Sequence, residues 1–360
     1  MALLLALGYM LSSLFGIGVL LLPRLVQQIG IGYFIILLTA VAVALNLATY
    51  VILELIEITG EDVEGSVRSF LGKYGVLSTA SFGVFTYAAL SAYILAAGDQ
   101  LSAWLGGPPN YWSSLFFVLA VIPAVGGLTL AATTSTYLSL FLVAVLLFVI
   151  PINLKFDSLI IPFYGGLEAA PLFVMLAAFA LAGHFSIYQV HRLVREERSK
   201  VVVFFAAFLF AFLSYVAFGI TTASVSASLS HLSTATLAQI YPPFYALLVS
   251  AVAVLAFYTS FVVVAHSFIK TFEAYMPQKV VYALLLFPVA LLYLLVRYYG
   301  LLDLTTLVGR IGGASLLIFL ALACFSHYRA SEKFQTKFPQ NASMALGVVL
   351  VVFAIIGAFL

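Results

Sequence analysis

Charge is scarce in this chain: fifteen Lys or Arg and thirteen Asp or Glu among 360 residues leave a formal net charge of +2. So weak a basic excess excludes a nucleic-acid surface, which needs a concentrated cationic patch. Cysteine is rarer still. Cys324 stands alone, so neither an intrachain disulfide nor a cysteine metal cluster can form. Enzyme signatures are missing as well: there is no H-E-x-x-H, no G-x-S-x-G and no acidic pair inside a hydrophobic segment, which argues against a membrane-embedded enzyme. No G-x-x-x-x-G-K-[ST] loop is present to bind a nucleotide, so ATP-driven transport would need a separate subunit. A channel would show a repeated filter or a ring of charges, and neither is found. The opening residues carry neither a basic stretch nor a clear small-residue cleavage site, so the first apolar segment reads as a mature helix rather than a signal peptide.

What is present is hydrophobic: 64% of residues, with 32 Phe and 20 Tyr. That composition describes an all-α polytopic membrane protein, whose only expected surroundings are the lipid bilayer and a small solute, with no obligate protein partner evident. Apolar runs of about 20 residues cross a bilayer as helices. Eleven are expected, at about 2–28, 32–57, 76–104, 111–131, 134–152, 169–190, 201–224, 243–270, 279–297, 304–327 and 342–360. They form a single transmembrane domain over 1–360, with GGPPN at 106–110, PINLKFD at 151–157 and YPP at 241–243 marking connections. Lys and Arg stay on the cytoplasmic side of short loops. With the amino terminus inside, Arg68, Lys73, Arg192, Arg195, Arg198, Lys200, Lys270, Lys279, Arg329, Lys333 and Lys337 are cytoplasmic, against Arg24, Lys155, Arg297 and Arg310 on the other side. The expectation is a multi-pass plasma-membrane protein with a cytoplasmic amino terminus and an outer carboxyl terminus.

Two interruptions break this pattern. GIGVLLLP at Gly16–Pro23 opens the first span with two glycines, and AAFALAGHFSIY at 177–188 puts Gly183 and His184 in the middle of the sixth. Glycines also serve close helix packing in membranes, and a buried histidine can simply bond a nearby carbonyl. Yet unwound backbone at this depth survives only where it faces protein, water or a ligand. Broken helices at matching positions of two halves point to a transporter site at their interface. Spans one to five (about 1–152) and six to ten (about 169–327) therefore read as inverted repeats, with 342–360 as an extra helix. The amides of Gly16, Ile17 and Gly18 would bind a carboxylate at a half-helix amino end, as anions bind helix N-termini in general.

These motifs resemble those of the amino acid/auxin permeases, aromatic and neutral amino acid permeases of the amino acid-polyamine-organocation superfamily. GIGVLLLP is similar to their G-x-G-x-L-x-x-P, and YAALSAYILAAGDQL at Tyr87–Leu101 to their third helix. FALAGH at Phe179–His184 resembles F-A-x-x-G-H, YTSFVVVAHSF at Tyr258–Phe268 their A-T-S-F-L-G element, and LTTLVGRIGGASLLIFLALAC their Gly-Gly lead into the tenth helix. Val262 replaces a glycine and Phe185 a small residue of that pattern. The resemblance implies the leucine-transporter (LeuT) arrangement of five plus five inverted helices, broken in helices 1 and 6, plus an eleventh. It implies a secondary active importer of a neutral or aromatic amino acid working by alternating access, with a carrier of another small organic solute as the alternative and a membrane scaffold or membrane-embedded enzyme behind it. Ala182, Gly183 and His184 would then face the Gly16 amides, with Tyr87 preferred over Tyr93 as a hydroxyl donor to the carboxylate. Thr259 and Ser260, with carbonyls near Ser12 and Phe15, match a sodium site of relatives of this fold. His184 or His266 would titrate instead if protons drive transport, so Na+ and H+ both stay open as coupling ion. No further cofactor and no tightly held metal is expected.

Other charges read plainly. Glu54 and Glu57 are expected to meet water or a loop cation, as is Asp99, and Arg24 to point outward or to pair with Asp99 or Asp303. HRLVREERSK at 191–200 reads as a solvated loop, and the sequon at Asn341 falls at a cytoplasmic end.

Overall fold

The computed structural model of the chain describes residues 2–153, 161–273, 275–300 and 302–359. Part of the PINLKFD connection, with Lys155, lies outside them. The first span is cut into α1 (Ala2–Leu14) and the opening of α2 (Ile17–Thr59), which continues through a sharp break at Gly30 into the second span. A short α3 (Val63–Arg68) precedes the third to fifth spans: α4 (Gly75–Leu105), α5 (Pro109–Val125) and α6 (Leu128–Asn153). The sixth is again cut, into α7 (Ala170–Ala180), a 3-10 turn (Gly183–Ser186) and α8 (Ile187–Leu193). Then come α9 (Glu197–Ala223), the short α10 (Ser233–Ile240), α11 (Pro243–Glu273) and α12 (Gln278–Tyr299). A π-helical stretch (Thr306–Gly313) leads into α13 (Ala314–Ala330), and α14 (Gln340–Phe359) completes the eleven spans expected. Among the described residues nine helices are long and apolar enough to cross a membrane, and α1 and α5 are shorter apolar ones. The protein is a multi-pass membrane protein.

Burial sorts the spans. The apolar windows of α4, of α7 with α8 and of 306–330 are 78% buried, whereas those of α12 and α14 are 22% and 28% buried. The first group, with the α1–α2 junction, is the centre of the bundle; the second shows Phe287, Val348 and Ile355 to the hydrocarbon. Large exposed apolar side chains are what a lipid solvent allows.

Gly30 shows how an intramembrane break is tolerated. Its φ of 82° and ψ of 163° lie where only glycine is at ease. The backbone groups that the break frees are paired with the segment before α7. Ile31 and Gly32 donate to Pro162 and Phe163 at 3.1 and 2.6 Å, and Gly165 and Gly166 donate to Ile29 and Gln28 at 2.8 and 3.1 Å. A Cβ on Gly30 would sit 2.7 Å from both the Gly165 nitrogen and the Pro162 oxygen.

At the opposite end of α2, the expectation for Glu54 needs correcting. Its carboxylate is buried and accepts from His327 Nε2 at 3.0 Å, from the Phe338 amide at 3.1 Å and from the Lys337 amide. Ser343 in turn donates to His327 Nδ1 at 2.7 Å. A buried charge must be paired and hydrogen-bonded, and here the pairing ties α14 and α13 to α2. Glu57 meets Lys200 at 3.7 Å.

Gly30→Ala combines a forbidden backbone angle with a backbone collision and should cost about 1–3 kcal/mol. Gly60 also has a positive φ, 72°, but nothing lies within 4 Å of its would-be Cβ. Thermal unfolding in detergent should fall further for Gly30→Ala than for Gly60→Ala; equal shifts would contradict the capped-break account.

Candidate functional site

A helix that stops in hydrocarbon leaves its last carbonyls and the next helix's first amides without partners. At the first break Phe15 and Gly16 separate α1 from α2, and Gly16 is extended, with φ −114° and ψ −163°. The orphaned carbonyls of α1 are met by hydroxyls from distant helices. Ser260 of α11 donates to Ser12 O at 2.7 Å and lies 3.1 Å from Phe15 O. Tyr215 of α9 hydrogen-bonds Leu14 O. The Ser12 side chain is itself tied to α6, 2.6 Å from Ser139 Oγ. Above the break, the first amides of α2 at Ile17 and Gly18 have no preceding helical turn beneath them to supply carbonyls.

The second break lies against the first. α7 ends at Ala180, and Leu181 and Ala182 leave the helix with ψ of 26° and 52° before the turn that carries Gly183 and His184. A Cβ on Gly18 would fall 2.5 Å from the Ala180 Cα, so the two half-helices touch at their backbones. Tyr215 also reaches Ala180 O, at 2.9 Å. Carbonyl ends of α1 and α7 and the amide start of α2 thus meet in one buried spot, with opposite dipole ends on facing sides.

Gly16, Ser12, Phe15 and Ser260 are brought together as the sequence suggests, all of them buried. Gly16 is open to polar atoms: a Cβ there would lie 3.0 Å from Ser260 Oγ and 3.1 Å from the Tyr93 hydroxyl. Gly183 is different. It lies against Met10, Leu14 and Phe208 and serves packing. Ile17 and Ala182 are buried at the two breaks. His184 is buried among Phe85, Phe185 and Phe319, its ring 6.2, 4.0 and 5.7 Å from theirs, and its Nε2 has no hydrogen-bond partner. Thr259 does not reach α1: its hydroxyl bonds back to Leu255 O at 2.9 Å and Ala256 O at 3.4 Å on its own helix. His266 lies apart from the breaks, with Nδ1 3.3 Å from Ala124 O and its Nε2 likewise without a hydrogen-bond partner.

Tyr87 is the residue the structure moves away from the site. Its hydroxyl donates to Leu284 O on α12 at 3.0 Å, and its ring packs on Phe268. Six helical residues separate it from Tyr93, which turns it by about 120° around α4. Tyr93 is the tyrosine beside Gly16, its hydroxyl and that of Ser260 flanking the place where a Cβ on Gly16 would stand. Tyr215, which holds both carbonyl ends, was not singled out in the sequence; among 20 tyrosines nothing in its neighbourhood marks it.

Two turns beyond the break, the same half of α2 borders a cavity of about 340 Å³ that Arg24, His231, Asp303, Thr305 and Arg310 help line. Arg24 does not pair with Asp99, which holds Arg297 at 2.8 Å. Nor does it pair with Asp303, whose carboxylate caps Thr306 through its amide at 2.8 Å and hydroxyl at 2.9 Å. Arg24 donates to His231 Nδ1 at 2.8 Å, and Thr305 Oγ1 lies 2.7 Å from the same nitrogen. An arginine only donates, so His231 accepts in its neutral form; burial and the Arg24 charge both hold the imidazole below its ordinary pKa, while Asp303 acts to raise it. Burial alone would raise the Asp303 carboxyl, but the Thr306 bonds hold it below the ordinary carboxylate range. At the other end of the bundle Glu61, Asp62, Tyr188, Arg192, Lys270 and Tyr275 line a second cavity of about 320 Å³. The residues of the double break are buried and line neither cavity.

No family model matches the chain, and no curated protein is similar to it in sequence. Among solved structures, that of MhsT in complex with L-phenylalanine is similar over 98% of this chain and 98% of its own, with a TM-score of 0.68 at 16% identity. The fold is therefore the LeuT-type arrangement of two five-helix inverted repeats with helices 1 and 6 broken and an eleventh helix added.

The two glycines of the first break make different demands. Gly18→Ala must push apart two backbones, an overpacking cost of about 1–3 kcal/mol, and should lower the yield of folded protein and its melting temperature. Gly16→Ala meets only movable hydroxyl ends and should fold normally. A ranking with Gly16→Ala the more destabilising of the two would contradict this geometry.

Proposed function

We propose that the chain is a secondary active amino acid transporter and not an enzyme, importing a neutral or aromatic amino acid by alternating access. One observation carries the reading: amides at the start of α2 without a helical turn beneath them, and carbonyl ends of α1 and α7 held only by the single Tyr215 hydroxyl, meet in one buried spot. That pairing matches the zwitterionic head of an amino acid, carboxylate to Gly16, Ile17 and Gly18, ammonium to the carbonyls of Leu14 and Ala180. No charged side chain is required, in keeping with the ring cluster of Tyr93, Phe85, Phe179, Phe185 and His184 beside the breaks. The likeness to a structure holding L-phenylalanine supports an aromatic or apolar side chain. The motif resemblance supports membership of the amino acid/auxin permeases.

The residues around Ser260 fit a sodium ion. Ser260 Oγ lies 2.7 Å from Ser12 O and 3.1 Å from Phe15 O, three oxygens suited to a hard cation, and Thr259 would join them by turning its hydroxyl from Leu255 O on its own helix. When bound, the ion would supply positive charge at the carbonyl end of α1. Proton coupling has its own support in His184, whose Nε2 is unpartnered. By the distribution of Lys and Arg, the Arg24 end faces outward and the amino terminus is cytoplasmic, with the carboxyl terminus outside. The repeats comprise about 1–152 and 169–327, and 342–360 is the added helix of this single domain.

Uptake into proteoliposomes, with L-phenylalanine first and the other proteinogenic amino acids singly, tests the reading under separately imposed sodium and proton gradients. An inward sodium gradient should drive accumulation. Ser260→Ala should weaken the apparent sodium affinity by about ten-fold, the scale of one contact to a charged group. Sodium-independent, proton-driven uptake would transfer coupling to the histidines. Absence of uptake for every amino acid would reject the carrier reading.

A further inference from the structure

Leu14 O and Ala180 O share one donor. Both carbonyls close a half-helix, so each carries the negative end of a helix dipole, and the hydroxyl of Tyr215 reaches both. The side chain is fully buried, its ring edge-on to Phe15 with centroids 5.7 Å apart at 85°. A phenol has one proton. It satisfies one carbonyl at a time, and the other faces an oxygen lone pair. The spot is therefore short of donors by at least one, in a region where an unpaired polar group is costly. An ammonium group brings three donors and a positive charge to the same two oxygens and satisfies both.

We propose that Tyr215 stands in for the substrate's ammonium group in the empty carrier and yields both carbonyls to it when an amino acid binds. The inference rests on the amino acid transporter reading. The phenol keeps two dipole ends from facing each other undonated while the site is empty, which lets the empty protein adopt an enclosed form and return across the membrane. The same hydroxyl competes with the substrate, so it weakens binding while speeding turnover. Tyr215 is a positioning residue on this account, acting on Leu14 and Ala180 and not on the ligand.

Tyr215→Phe separates these effects. The variant cannot donate, so the empty form loses a hydrogen bond that the loaded form does not use. Its dissociation constant for L-phenylalanine, or for the first proteinogenic amino acid that the wild type is found to bind, should tighten by about five-fold, the value of one net hydrogen bond. Net uptake in proteoliposomes, which needs return of the empty carrier, should fall several-fold. Exchange of internal for external amino acid, in which the carrier is always loaded, should stay at the wild-type rate. An unstable empty variant is itself informative, because saturating amino acid should restore its melting temperature to that of the loaded wild type. Weaker binding, an equal loss of uptake and exchange, unchanged behaviour in both, or a melting temperature that ligand fails to restore would each overturn the proposal. A wild type that neither binds nor exchanges any amino acid would instead defeat the underlying carrier reading.

Discussion

Every backbone N–H and C=O in hydrocarbon must find a partner, and the architecture of this protein follows from breaking that rule in one place. An unbroken helix satisfies the requirement internally. Two helices here do not, and their loose ends meet. The carbonyls of Ser12, Leu14, Phe15 and Ala180 are served by hydroxyls of Ser260 and Tyr215, carried on α11 and α9. The amides on the other side of the gap have no helical turn beneath them and no side-chain cap. Packing is arranged around this exchange: Gly18 lets α2 touch α7, and Gly16 leaves room for the hydroxyls of Tyr93 and Ser260.

The same requirement is met differently where no ligand is needed. At Gly30 the freed groups are paired one by one with residues 162–166, so that break is closed and structural. At the end of α2 the buried Glu54 carboxylate serves the amides that start the turn into α14, along with His327. A break that is fully capped by backbone and one that is met by single hydroxyls differ in what they can release. On the proposed reading it is the second that hands its polar groups to a solute.

Much of this was legible before any coordinates. The eleven apolar runs and the glycines of GIGVLLLP and ALAGH stand out because span length and helix interruption are local properties of the chain. Bringing Ser260 to Ser12 and Phe15 followed from motif resemblance, and the contacts are there. What sequence reading missed depends on direction around a helix and on partners far along the chain. Tyr87 and Tyr93 look equivalent in a string, yet about 120° separates them on α4, and only Tyr93 meets Gly16. Tyr215 lies 201 residues from Leu14 and 35 from Ala180, with no motif to announce it. Glu54 reads as a span-end carboxylate because nothing local shows that the turn before α14 folds back over it. Gly183 resembles Gly16 in sequence, yet a Cβ there would meet the apolar Met10, Leu14 and Phe208 where one on Gly16 would meet hydroxyls.

The central claim is that the two breaks together recognise the zwitterionic head of an amino acid through backbone groups. Calorimetric binding of L-phenylalanine, its methyl ester and 3-phenylpropanoate to the purified protein measures this most directly, extended to the corresponding trio of another amino acid if the panel selects one. The ester lacks the carboxylate that the Gly16–Gly18 amides require, and the propanoate lacks the ammonium that the Leu14 and Ala180 carbonyls require. The account predicts binding of the free amino acid and a loss of at least about ten-fold in affinity for each analogue. Equal affinity for either analogue and the parent amino acid would contradict it.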